Sequence, residues 1–304
     1  MKKALLLFLL VVIGVAGYKL APQMGGPSPI EGNDKDLYQL AEKLKPLHEK
    51  MGPVQDGDWL ASHKEDGQTF REYVGSRHVS LTEDRNVLYV QPIGEFNEHQ
   101  QKVIDLSAEF LGLYFACKVE VLETKSNDII PAKARRVHSS WGVRQILSTY
   151  VLYDVLKPEL SKDAVALIAF TSSDLYPADD WNFVYGQASL RERVGVWSIF
   201  RNGDAETEFE TCLLRTLKTA THETGHMFSI QHCIAYECNM CGSNNRAESD
   251  RRPIQLCPEC VTKVWEATNC DPVERFNNLA DFFEKIRMTE QTKKYRDLSN
   301  AIQD

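Results

Sequence analysis

The stretch that decides the reading of this chain is His222-Glu223-Thr224-Gly225-His226-Met227-Phe228-Ser229-Ile230-Gln231-His232. Residues four apart on a helix share a face, one turn above the other, so His222 and His226 present two imidazoles to one point. Two such nitrogens reach a single metal ion at Zn–N distances of about 2.0–2.1 Å. Glu223 follows the first histidine and lies near the metal without being needed as a ligand. His232 stands six residues beyond His226. On a continuing helix six residues is roughly 600° of rotation, a different face, so the helix must end and the chain must turn back. Glycine usually makes such a turn because it accepts a left-handed backbone cheaply. Ser229 holds the position here, at a cost of about 1 kcal/mol.

Three histidines leave one position of a tetrahedral zinc open for water, and the chemistry this layout most often serves is peptide-bond hydrolysis. In that reading His222, His226 and His232 bind a catalytic zinc, and Glu223 is general base, taking a water proton and passing it to the leaving amine. Met240, fourteen residues after His226, strengthens the pattern.

Upstream, the spacing predicts one helix from Thr207 to about Phe228. Thr207 and Glu210 are spaced as a capping box, and Phe209, Leu213, Leu214 and Leu217 form a buried stripe. Strands are expected at 87–90, 118–122, 164–170, 183–185 and 194–200, with 164–170 apolar throughout as in a strand covered on both faces. Helices are expected at 36–50, 97–116, 145–156, 261–267 and 272–287. Residues 52–80 are polar and turn-rich, with no clear period. Strand–helix–strand order predicts an α+β fold with helices on a mixed sheet. Trp181, Tyr185 and Trp197 are the aromatics considered for a cleft wall.

The chain has 304 residues and a formal net charge of −8, so it lacks the cationic excess that nucleic acid demands. Lys2-Lys3 precede an apolar run from Ala4 to Gly17, too short to span a bilayer comfortably and suited to the core of an export signal. Residues 1–20 are therefore expected to be a signal peptide or membrane anchor, with membrane attachment through residues 4–20 in the second case. Residues 21–34 read as a Pro/Gly-rich linker, and 35–304 as the catalytic domain. The expected location is extracytoplasmic, secreted, periplasmic or membrane-anchored, with an intracellular one as the alternative.

Eight cysteines occur, at 117, 212, 233, 238, 241, 257, 260 and 270, and five of them crowd between Cys233 and Cys260. Clustering beside histidines favours metal over a disulfide framework. Cys257-Pro-Glu-Cys260 is a half-site for structural zinc. Its partner pair is either Cys238 with Cys241 or Cys233 with Cys238.

The pattern His222-Glu-x-x-His226-x₅-His232-Cys233-x₄-Cys238-x-Met240, with Cys257-x-x-Cys260, resembles the archaemetzincins, a small family of zinc metallopeptidases. The run Glu248-x-Asp250-Arg251-Arg252-Pro253 is similar too. The resemblance implies a metzincin-like (zincin-like) fold, a mixed sheet above the active-site helix with a C-terminal part that carries zinc on four cysteines. It implies that this second, structural zinc is held by Cys233, Cys238, Cys257 and Cys260 in the region 233–260, and that a methionine turn at Met240 lies beneath the catalytic one. Two Zn²⁺ per chain and a peptide or protein substrate follow, with no nucleic-acid partner. The chain departs from the family at Ser229, where glycine is usual, and in an export-like N-terminus on a family that is largely intracellular. A catalytically idle, zinc-stabilised binding protein of the same fold is the competing function; a zinc-ribbon nucleic-acid module is the third.

Overall fold

The computed structural model describes residues 33–189 and 192–303. The expected signal or anchor at 1–20, and nearly all of the expected linker, lie outside the described residues. Among those residues no helix is long and apolar enough to cross a membrane.

The architecture is α+β. Its strands are β1 (Val87–Ile93), β2 (Lys118–Val121), β3 (Arg135–Val137), β4 (Arg144–Leu147), β5 (Ala164–Thr171), β6 (Asp174–Tyr176), β7 (Gly186–Ser189) and β8 (Val194–Ser198). The longer helices are α1 (Asn33–Leu44), α2 (Glu98–Tyr114), α3 (Phe209–Met227), α4 (Pro258–Thr268), α5 (Pro272–Lys285) and α6 (Thr289–Gln303). The main sheet runs β2-β1-β5-β8-β7, all parallel except β7, which pairs antiparallel to β8 at one edge. A smaller sheet runs β3-β4-β6.

Every residue of β5 is buried, the apolar run explained by cover on both faces. Successive side chains alternate. Ile168 and Phe170 join the core shared with the helices, whereas Leu167 and Ala169 join a second core with Ile146, Leu152 and Leu175. On the helical side α2 packs against α3. The stripe expected on α3 is half right: Leu213 and Leu217 are fully buried, while Phe209 and Leu214 are partly so.

Three local expectations are corrected. Residues 145–156 are not one helix, because residues 144–147 form β4, where Gln145 donates to Asp174 Oδ2 at 2.8 Å and Ile146 enters the core. Helical residues begin only at Ser148. The capping box at Thr207 and Glu210 does not form. The helix starts later, at Phe209, behind a turn in which Glu206 N donates to the Asp204 carboxylate and Glu208 N to the Asp204 carbonyl. Residues 183–185 contribute a bridge between Val184 and Leu175 and a carbonyl, that of Tyr185, which accepts from Ser198 N–H at 2.8 Å, and the edge strand itself begins at Gly186.

Gly195 in β8 sits where the sheet abuts the end of α3. A methyl group there would meet the Trp197 ring at 2.3 Å and Met227 Cε at 2.7 Å. Gly195→Ala is expected to cost about 1–3 kcal/mol through overpacking, read as a lowered denaturation midpoint with unchanged slope.

Candidate metal centre

Helix α3 carries His222 and His226 on its last turns and stops at Phe228. The stop is a Schellman motif. Ser229 adopts a left-handed φ of 68°, its N–H bonds to the His226 carbonyl at 2.8 Å, and Ile230 N–H bonds to the Gly225 carbonyl at 3.2 Å. The reversal expected at Ser229 is thus realised, and it swings His232 back under the helix end. The three rings lie close together, with centroids 4.6 Å (222–226), 4.9 Å (226–232) and 5.3 Å (222–232) apart.

Each ring is oriented through Nδ1. His222 Nδ1–H donates to the Asn239 carbonyl at 2.7 Å, His226 Nδ1–H to the Ile230 carbonyl at 2.6 Å, and His232 Nδ1–H to Glu65 Oε1 at 2.8 Å. Carbonyl and carboxylate oxygens only accept, so the protons sit on Nδ1 and the Nε2 lone pairs are left for a ligand. One ligand nitrogen from each ring falls within 4.8 Å of the others. His232 Nε2 and Glu223 Oε2 are buried with no hydrogen-bond partner in the protein. Buried orphan acceptors are costly unless something satisfies them, and a divalent cation at the convergence of the three imidazoles would do so. The donor set therefore fits zinc.

Burial holds the His222 imidazole down at about 3, with the neighbouring His232 adding to the effect. Burial also holds His226 well below the usual histidine range. Both stay neutral at physiological pH, as metal ligands must be. Burial pushes the Glu223 carboxyl up to about 8; a nearby cation works in the opposite direction. Glu223 and His222 share a cleft wall with Tyr185, Gly186, Lys218 and Thr219. Of the three aromatics considered, Tyr185 lines this cleft, whereas Trp197 is core.

Met240 is fully buried beneath the motif. A methyl group on Gly225 would fall 2.7 Å from Met240 Sδ, so the glycine between the two histidines is what lets the methionine close against the helix. Its neighbour Asn239 bonds through Nδ2 to Thr221 Oγ1 at 2.8 Å while its carbonyl holds His222.

The four cysteines Cys233, Cys238, Cys257 and Cys260 gather with their sulfurs within 4.8 Å of one another, all buried. This is the set implied by the resemblance. Cys241 stays outside it, its thiol donating to the Tyr236 carbonyl at 3.2 Å. All eight cysteines are free. Cys233 and Cys257 sulfurs are 3.6 Å apart, well beyond a disulfide bond of about 2.05 Å. The four-sulfur geometry fits a closed tetrahedral zinc site. Donation from the neighbouring thiols, Cys238 first, draws the Cys233 thiol well below its ordinary value. Burial pushes Cys238 and Cys257 up, and Cys233 pushes Cys260 up. Four adjacent thiolates need a cation to coexist.

Residues 86–266 match the sequence profile of peptidase family M54. Archaemetzincin-2 of Macaca fascicularis is 30% identical over 281 residues, covering 79% of this chain and 76% of that protein. The chain belongs to peptidase family M54, the archaemetzincins. The archaemetzincin of Archaeoglobus fulgidus is 32% identical over 177 residues, covering 58% of this chain and 98% of that one. Among solved structures, an archaemetzincin from Methanopyrus kandleri is 28% identical, with a TM-score of 0.49 over 61% of this chain and 96% of that chain. Family membership makes the protein a zinc metallopeptidase.

Two residues of this centre, Glu65 and Trp59, escaped the sequence reading. Glu65 is the partner of His232, and Trp59 packs edge-on against the same ring at 5.3 Å. Both lie in the stretch 52–80 that shows no period.

Gly225→Ala is expected to push Met240 off the helix and misplace the histidine pair. Zinc affinity at the histidines should fall on the order of tenfold, measured by chelator competition, while zinc at the cysteines is retained.

Proposed function

We propose that this chain hydrolyses peptide bonds with Glu223 as general base, at a zinc held by His222, His226 and His232 within a catalytic domain spanning residues 35–304. A second zinc, held by Cys233, Cys238, Cys257 and Cys260, is structural in this reading and makes two per chain. The observation that carries the proposal is the convergence of three tethered imidazoles, one of which, His222, lines a cleft together with Glu223, whose Oε2 has no partner in the protein. Zinc at such a site supplies an electrophile for the scissile carbonyl and acidifies water.

The remaining work falls to the chain's own residues. The Nδ1 tethers fix the tautomer and orientation of the three imidazoles, while burial keeps His222 and His226 neutral. Glu223 Oε2 has no competing donor, so it is free to take a proton from water and hand it to the departing amine. The aromatic wall at Tyr185 and the backbone of Gly186, at the start of the edge strand of the sheet, are where a peptide would be received. The export-type N-terminus supports an extracytoplasmic site of action as a separate proposal, checked by fractionating cells that express the tagged chain.

A digest of a diverse peptide library by the zinc-loaded protein, run beside Glu223→Ala, tests the mechanism. Glu223→Ala is expected to keep both zinc ions and lose roughly 10²–10⁴-fold in turnover. Retained turnover removes Glu223 from the role. Cleavage by neither protein, with zinc present at the histidines, favours the idle binding protein instead. Cys257→Ser is expected to lower bound zinc from two equivalents to one and to lower the unfolding temperature, because the folding of such a site is coupled to metal binding.

A further inference from the structure

We propose that Glu65 is a positioning residue for the third histidine ligand, held in place by a strap running from Trp59 to Val79. The inference rests on the three-histidine zinc site proposed above.

The three ligands are not oriented alike. His222 and His226 donate to backbone carbonyls belonging to the motif's own surroundings. His232 donates to a carboxylate 167 residues away in sequence and outside the stretch 86–266 matched by the family profile. A carboxylate acceptor differs from a carbonyl in kind. It carries a full negative charge, which makes the imidazole a more basic ligand and offsets the charge of a bound dication. The second oxygen of Glu65 is buried without a hydrogen-bond partner. That arrangement is costly unless positive charge stands close by.

The strap grips the ligand loop at successive residues. Tyr73 O–H donates to the Phe228 carbonyl at 2.8 Å, Gln68 Nε2 to the Ser229 carbonyl at 3.3 Å, and Val79 N–H to Ser229 Oγ at 3.2 Å. Gln231 N–H donates back to Gln68 Oε1 at 3.2 Å. The strap is itself anchored to the rest of the fold. Lys263 Nζ donates to the Gln68 carbonyl, and Phe70 N–H to Glu259 Oε2 at 2.8 Å, both partners on α4. Trp59 N–H donates to the Glu248 carboxylate at 3.0 and 3.1 Å. The Trp59 ring then stands edge-on to His232 and stacks on His63 at 3.7 Å. A segment that only covered the core would not need to bond four polar groups of one short loop and place a carboxylate on the ligand at its end.

The test uses the full-length protein, depleted of metal and refilled with Zn²⁺ or Co²⁺. Affinity at each site is read by chelator competition, and the geometry at the histidines by the cobalt d–d spectrum. Glu65→Ala is expected to lower affinity at the histidines by about 10–100-fold and shift that spectrum, while the thiolate-bound metal is unchanged. Glu65→Gln keeps an acceptor but loses the charge, and should fall between Glu65→Ala and the wild type. Wild-type affinity and spectrum in Glu65→Ala would overturn the inference alone. Equal weakening at the histidines and the cysteines would overturn it too, since that is general loosening of the fold. A wild-type protein that takes metal only at the cysteines would remove the zinc-peptidase reading of the histidines as well.

Discussion

Three imidazoles must face one point although only two of them share a helix, and the reversal at Ser229 is the constraint on which the rest of the site depends. Helix α3 fixes His222 and His226 by its own geometry. His232 reaches them only if the chain doubles back within six residues. The Schellman bonds from Ser229 and Ile230 close that turn, and His226 adds a third bond by donating to the Ile230 carbonyl. The second histidine of the motif therefore helps to build the turn that presents the third.

The second cluster is mechanically joined to the first. Cys233 follows His232 directly, and its N–H donates to the Met240 carbonyl at 2.8 Å. Met240 N–H and Cys257 N–H both approach the Cys238 sulfur, at 3.5 and 3.3 Å. Asn239, between Cys238 and Met240, supplies the carbonyl that orients His222. Clamping the four sulfurs thus fixes the short segment that lies beneath α3. A metal at the cysteines would act on the histidines through the Asn239 carbonyl and the Met240 side chain, without touching them.

What the sequence disclosed was what is written locally. The histidine spacing, the Cys-x-x-Cys pair and the unbroken apolar run of β5 each have a physical meaning within a few residues. Tertiary context decided the rest. Gln145 and Ile146 look helical in isolation but are drawn into a strand by Asp174 and the second core. Helix α6 was not anticipated, because its large buried side chains are only Tyr295, Leu298 and Ile302 in an otherwise polar run. Glu65 left no signal at all. A lone glutamate in a turn-rich segment acquires its role only from a partner 167 residues away.

The serine at the turn makes sense in the same terms. A left-handed serine is strained by about 1 kcal/mol relative to glycine. Its hydroxyl, however, accepts the Val79 N–H, a bond of about 0.5–1.5 kcal/mol net. The two contributions are of similar size and opposite sign. Glycine at this position would relax the backbone and leave the Val79 amide to find another acceptor. Where no strap lies over the turn there is nothing for a hydroxyl to accept, and glycine is the better residue. Where Val79 lies over it, as here, serine converts a conformational cost into an anchor for the segment that carries Glu65. The serine at the turn and the strap that lies over it are then two sides of one local arrangement.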